Sequence, residues 1–189
     1  MEKRYNIIYA DPPWKYSFSG TRVDRGADYP TMKSADICAL PVGELAAKHS
    51  LLFIWVIWNR MPDALRVIDA WGFEYVSCAF TWVKKNKSGH GWFWGMGGWT
   101  RQNSEVCLIG KRGRPTRVSA SIHSVVATPI ERHSKKPDVV RDRIVELCGD
   151  VPRIELFARE KSQGWDVWGN EVDSDIVLGA GANLSARPR

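Results

Sequence analysis

Residues 7–14 read Ile-Ile-Tyr-Ala-Asp-Pro-Pro-Trp, an apolar run that stops on two prolines. A short run with β-branched residues, bounded by proline, reads as a buried strand that ends abruptly. Neither Pro12 nor Pro13 can donate to a sheet ladder, and Pro12 steers Asp11 away from the helical region. The end of the strand therefore gathers a carboxylate on Asp11, carbonyls with no competing N–H of their own, and the aromatic face of Trp14. In open α/β sheets, ligands bind at the carboxyl ends of the strands. One chemistry uses all three parts: gripping an exocyclic amino group on a flat heterocycle. Asp11 and the Pro12 carbonyl would accept its two N–H bonds while Trp14 stacks on the ring. A plainer reading, a strand-ending turn with a packed Trp14, stands beside it.

An amino group conjugated with a purine is a poor nucleophile, because its lone pair is delocalised into the ring. Two acceptors on its protons favour a tetrahedral nitrogen with a localised lone pair. They also stabilise the positive charge that develops as the nitrogen attacks an electrophile, a preorganised electrostatic effect that needs no strong base.

Working outward, residues 15–31 are polar and too long for a tight connection, which reads as a mobile active-site loop. Ser34 is expected to cap a helix over residues 34–47, interrupted near Pro41 and Gly43. The continuous apolar run 51–57 reads as a central strand. Residues 62–71 form a helix with Leu65, Ile68 and Trp71 on one face and Gly72 as its stop. Strands follow at 75–83, 105–110 and 118–126, then a helix at 137–147, a strand at 153–157 and a short element at 165–172. Strands alternating with helices imply an α/β domain over residues 1–172 with a mostly parallel sheet. Residues 173–189, rich in Gly, Ala and Ser, read as a flexible C-terminal tail.

Composition narrows the classes. A chain of 189 residues suits one domain burying roughly 70% of its unfolded surface. No apolar run approaches the ~20 residues of a membrane span. The N-terminus runs straight into the first strand without a signal peptide pattern, and the four cysteines form no Cys-x-x-Cys pair, so a reducing cytoplasmic location is expected. His90, His123 and His133 lack metal-ligand spacing, and no metal is expected. The net charge of +6 and pI near 9.3 favour a polyanionic partner. Residues 84–103 sharpen this, combining Lys84, Lys85, Lys87 and Arg101 with Trp92, Trp94 and Trp99 among glycines. Basic groups suit phosphates, and exposed aromatics suit stacking on bases. With Lys111, Arg112, Arg114 and Arg117 the stretch is expected to form a basic rim beside the catalytic edge.

The stretch Tyr9 to Trp14 resembles the catalytic motif of amino-methyltransferases, and an ordered set of further segments narrows the likeness. These are Tyr29-Pro30-Thr31-Met32, Leu52 to Val56, Thr81 to Lys84, Glu105 to Gly110, His133-Ser134-Lys135-Lys136-Pro137 and Arg153 to Arg159. Together, over roughly residues 5–172, they resemble the MT-A family of N6-adenine methyltransferases, whose members include the catalytic subunit of the mRNA enzyme and bacterial and phage proteins acting on DNA. The resemblance implies a Rossmann-like, S-adenosylmethionine-dependent fold in which the catalytic motif precedes the main cofactor segments. That permuted order explains why no Gly-x-Gly-x-x-Gly follows the first strand. It implies catalytic roles for Asp11, Pro12, Pro13 and Trp14, and cofactor contacts by Asp11, Lys136, Glu155, Phe157, Arg159, Asn170 and Glu171. Tyr29, Lys84, Trp92, Trp94, Trp99, Arg101 and Ser134 fall to the substrate. DNA is expected over RNA, with a homodimer or partner subunit allowed. The family's upstream acidic strand is expected to have no counterpart in the ten residues before Asp11. A catalytically silent member that binds nucleic acid or a partner is the alternative. An amine on cytosine, a free nucleotide or a protein is the third reading.

Overall fold

The computed structural model describes residues 3–15, 30–97, 99–132 and 135–179. Seven strands form one sheet in the order β5-β3-β4-β2-β1-β6-β7. They are β1 (Tyr5–Ala10), β2 (Ala46–Val56), β3 (Glu74–Lys85), β4 (Glu105–Arg112), β5 (Val125–Pro129), β6 (Arg153–Leu156) and β7 (Asp166–Trp168). Pairing is parallel at β1–β2, β1–β6, β6–β7 and β3–β5, and antiparallel on both sides of β4. Six strands thus share one direction and β4 alone opposes them, so the expected mostly parallel α/β sheet is what forms.

Helices cover both faces. On one lie α1 (Ser34–Cys38), α2 (Val42–Leu45) and α3 (Met61–Ala70); on the other lies α4 (Val139–Cys148). The central strands are apolar on both sides because each face meets helices. In β1, Ile8 and Ala10 pack with Ile37, Val67 and Trp71, whereas Ile7 and Tyr9 pack with Val140 and Ile144. The alternation continues in β2, where Leu52, Ile54 and Val56 face α3 and Phe53 and Trp55 face α4. Tyr5 breaks the parity, and a register shift between Tyr5 and Ile7 accounts for it.

Three local expectations are corrected. The helix expected over 34–47 is two short helices capped at Lys33 and Pro41, and Ser34 is not the N-cap. Ala46 already pairs with Tyr5 as the opening residue of β2, because joining the central ladder satisfies its backbone better than a third helical turn. On α3 the buried residues are Ala64, Val67 and Ile68, while Leu65 is exposed. The strand expected over 118–126 forms only at β5, since the Val118 amide donates to the Leu147 carbonyl at 2.8 Å and holds its segment beside the end of α4. Gly72 ends α3 with φ 78°, the left-handed turn that glycine adopts freely.

Candidate functional site

The chain leaves β1 for β2 in one direction along the sheet and leaves β6 for β7 in the other. The carboxyl ends of β1 and β6 therefore flank a reversal of strand order, where α/β sheets open a crevice. Asp11 follows β1 at this point, and Phe157 to Arg159 follow β6. Because β4 runs against its neighbours, its first residue, Glu105, lies at the same edge as the last residues of β3.

That geometry assembles a charged quartet. Lys84 Nζ lies 2.5 Å from Glu105 Oε1. Lys136 Nζ lies 3.3 Å from Glu105 Oε2 and 2.7 Å from Asp11 Oδ2. Alternating signs run Lys84, Glu105, Lys136, Asp11. The Lys136 side chain is 9% exposed, whereas Asp11 keeps 26% of its side chain open. Burial pushes the Asp11 carboxyl above its ordinary value, and the Lys136 ammonium only partly offsets this. For Glu105 burial acts in the same sense, but Lys136 and Lys84 together override it and hold the carboxyl below its ordinary value. Burial alone would lower Lys136; Asp11 and Glu105 outweigh it and keep the amine firmly protonated. Asp11 is thus the accessible end of a compensated chain, with a carboxylate oxygen still able to accept a proton donor from outside.

The turn after Asp11 is stitched at several points. The Trp14 amide donates to the Pro12 carbonyl at 2.8 Å, and Met32 donates to the Pro13 carbonyl at 2.8 Å. A carbonyl oxygen has two lone pairs, so Pro12 retains one for a second donor. The Trp14 ring is 5% exposed, packs in the α3-side core and donates its indole N–H to the Trp55 carbonyl at 2.9 Å. The packed-Trp reading therefore describes its resting position.

On the β6 side, Phe157 has φ 61°, an unusual left-handed conformation for a bulky residue, and its ring meets Trp168 edge-on at 5.3 Å. Such strain persists where surrounding structure enforces it, commonly at ligand sites. Gly169 follows β7, and a Cβ there would lie 2.2 Å from the Ala158 carbonyl oxygen. Only glycine allows this approach, which brings Asn170 and Glu171 alongside Arg159; Arg159 Nε lies 2.9 Å from Glu171 Oε1. Both Glu155 oxygens are taken by Arg141 on α4, at 2.6 and 3.0 Å. Glu155 therefore anchors α4 to β6 rather than pointing at the crevice.

Among the remaining residues expected at the site, Trp92, Trp94, Trp99 and Arg101 are exposed on the segment between β3 and β4. Asn103 closes the base of that segment: its side chain accepts from the Lys84 amide at 2.9 Å and donates to the Lys84 carbonyl at 2.9 Å and the Phe93 carbonyl at 2.5 Å. Tyr29 and Ser134, together with most of the polar stretch 15–31, lie outside the described residues. The second basic stretch does not join the rim. Antiparallel β4 carries Lys111 and Arg112 to the opposite edge, roughly 25 Å away over its eight residues. There Lys111 pairs with Glu74 at 3.3 Å and Arg112 donates to the Gly43 carbonyl at 2.5 Å. Glu105, Arg141 and Asn103 were not among the expected site residues. A carboxylate opening the apolar run 105–110, within one of the segments that carry the resemblance, was the signal for Glu105.

A model of the MT-A70 family matches residues 5–171. A type II methyltransferase of Mycoplasma sp, M.MunI, is 31% identical over 196 residues, which cover 93% of this chain and 81% of the relative. The N(6)-adenosine-methyltransferase MT-A70-like protein of Drosophila melanogaster is 29% identical over 182 residues, 90% of this chain and 27% of its own length. The human N(6)-adenosine-methyltransferase catalytic subunit METTL3 is 27% identical over 187 residues, 93% of this chain and 29% of its own. The chain thus spans most of the first relative and under a third of the two animal proteins.

Proposed function

The chain belongs to the MT-A70 family, and from that premise we propose that it transfers a methyl group from S-adenosylmethionine to the N6 amine of adenine in nucleic acid, DNA in preference to RNA. The observation that carries the reading is the accessible Asp11 carboxylate, held by Lys136 at the crevice between β1 and β6. Near full-length likeness to a type II methyltransferase supports DNA over RNA.

In this reading Asp11 and the second lone pair of the Pro12 carbonyl accept hydrogen bonds from the two N6–H groups. One of these protons is lost to solvent once the nitrogen has taken the methyl. The acceptors' partial and full negative charges localise the nitrogen lone pair and stabilise the charge that grows on nitrogen. Lys136 and Glu105 fix Asp11 without neutralising its open oxygen. The donor set on the β6 and β7 side fits S-adenosylmethionine: Asn170 and Glu171 suit ribose hydroxyls, Arg159 orders Glu171, and buried Phe157, packed on Trp168, fixes the strained turn that carries them. When bound, the cofactor supplies an electrophilic sulfonium methyl. Lys136, beside Asp11, would be the residue to hold the cofactor's carboxylate.

Gly169→Ala tests the donor side. Wedging Ala158 and Gly169 apart is an overpacking change costing about 1–3 kcal/mol. S-adenosylmethionine affinity by calorimetry is expected to fall about tenfold, which corresponds to ~1.4 kcal/mol. The function itself is tested by incubating the purified protein and labelled cofactor with unmethylated DNA and RNA side by side, then digesting to nucleosides for mass spectrometry. N6-methyldeoxyadenosine is expected. Label on cytosine, on free nucleotide or on protein would replace the proposal, and cofactor binding without any transfer would favour the silent-member reading.

A further inference from the structure

Trp58 is the residue at the site that neither the opening motif nor the loop tryptophans explain. It begins the 3-10 turn Trp58–Arg60 directly after β2, the strand that pairs with β1 in parallel, so it stands at the same edge as Asp11. Half of it is exposed to solvent, at 50%, although it follows one of the most buried strands in the protein. Its ring is not loose. The indole N–H donates to Ser104 Oγ at 3.1 Å, on the residue just before Glu105 of the quartet. The turn is tied to the catalytic motif as well: the Arg60 guanidinium donates to the Lys15 carbonyl, one residue past Trp14, and to Asp63 at 3.0 Å.

An open aromatic face, fixed in orientation and placed between the Asp11 quartet and the basic 86–104 segment, has the attributes of a stacking platform. Trp14 in its packed position offers almost no open face, while the loop tryptophans sit on an irregular segment. A preordered ring loses little entropy on binding, and every base presents a π face to it. We propose that Trp58 is a substrate-binding residue that stacks on a nucleobase of the bound strand, at or beside the adenine presented to Asp11. This rests on the nucleic-acid reading of the site, and goes beyond it by naming the surface that holds the base.

The test uses the full chain, a fluorescein-labelled adenine-containing single-stranded DNA and fluorescence anisotropy, beside the methyl-transfer assay. Removing one stacked base contact is worth roughly five- to hundred-fold in affinity. Trp58→Ala and Trp58→Leu are expected to raise Kd and the KM for DNA within that range, with S-adenosylmethionine affinity unchanged and kcat at saturating DNA reduced far less. Trp58→Phe, which keeps a π face, is expected to restore most of the affinity. Equal affinity for the Leu and Phe variants overturns the proposal even if the Ala variant folds poorly, as does an unchanged Kd in all three. A wild-type protein that binds DNA through Trp58 but transfers no methyl group would leave the platform standing and remove the methyltransferase reading. A wild-type protein that binds no DNA removes both.

Discussion

Asp11→Asn is expected to lower kcat for methyl transfer by about 10²–10³-fold, the usual cost of removing one preorganised electrostatic group from a reacting centre. The amide keeps the shape of the side chain but has one acceptor in place of two and no charge to oppose the positive nitrogen. Lys136 retains Glu105 at 3.3 Å, so the variant keeps a partner for its buried ammonium. The expected signature is a fall in kcat with little change in S-adenosylmethionine affinity, read by radiometric assay and calorimetry. Acid should mimic the mutation. Burial holds the Asp11 carboxyl above its ordinary 3.8, so the working carboxylate is lost as pH falls through that raised value. The acid limb of kcat in the wild type should therefore lie above 3.8, and it should vanish in Asp11→Asn. Wild-type rates from the Asn variant would remove Asp11 from the chemistry.

Lys136→Met carries the largest expected loss of stability. It leaves Asp11 and Glu105 facing each other with the intervening charge gone. Breaking a buried ion pair from one side costs about 3–5 kcal/mol. For a chain of this length each kcal/mol moves Tm by roughly 2–4 °C, so a fall of roughly 6–20 °C is expected in calorimetry. The pH dependence follows from the carboxylates. In the wild type, Glu105 has a lowered pKa, so its stabilisation is present at neutral pH and fades in acid. In the variant Asp11 loses the ammonium that offset its burial while Glu105, still paired with Lys84, pushes it further up, so the Asp11 penalty is full at neutral pH and is relieved by protonation. The stability gap between the two proteins should narrow as pH falls. A gap that stays constant from pH 7.5 to 5 would mean the quartet is not what Lys136 stabilises.

Much of this layout is legible in the sequence because apolar runs and breakers are strong local signals. The run before Asp11, the run after Ser50, the spacing of Val140 and Ile144, and the stop at Gly72 all correspond to elements that form. Direction is not local. Nothing in residues 105–112 announces that the strand runs against its neighbours, and that one reversal moves Lys111 and Arg112 away from the site and brings Glu105 into it. Partner choice is equally hidden. Glu155 reads as an acid near a strand end, but only the arrival of Arg141 from α4 decides that its oxygens are occupied. Trp14 could as well stack as pack, and the Trp55 carbonyl that claims its N–H lies forty-one residues away. Ser34 failed as a cap for a simpler reason: the backbone turns helical at Ser34 itself, with extended Lys33 before it.

Asn103 has one more consequence. By bonding both backbone groups of Lys84, it closes the segment between β3 and β4 like a clasp at the neck of a purse. The Phe93 amide also donates to the Lys84 carbonyl at 2.9 Å, so the residues nearest the clasp are held in step with Lys84 and Glu105 below. The Asp11 quartet and the exposed tryptophans of the segment are thereby coupled at that neck. A change at Asn103 is in that sense felt on both sides, by the exposed tryptophans beyond it and by the Lys84–Glu105 pair below.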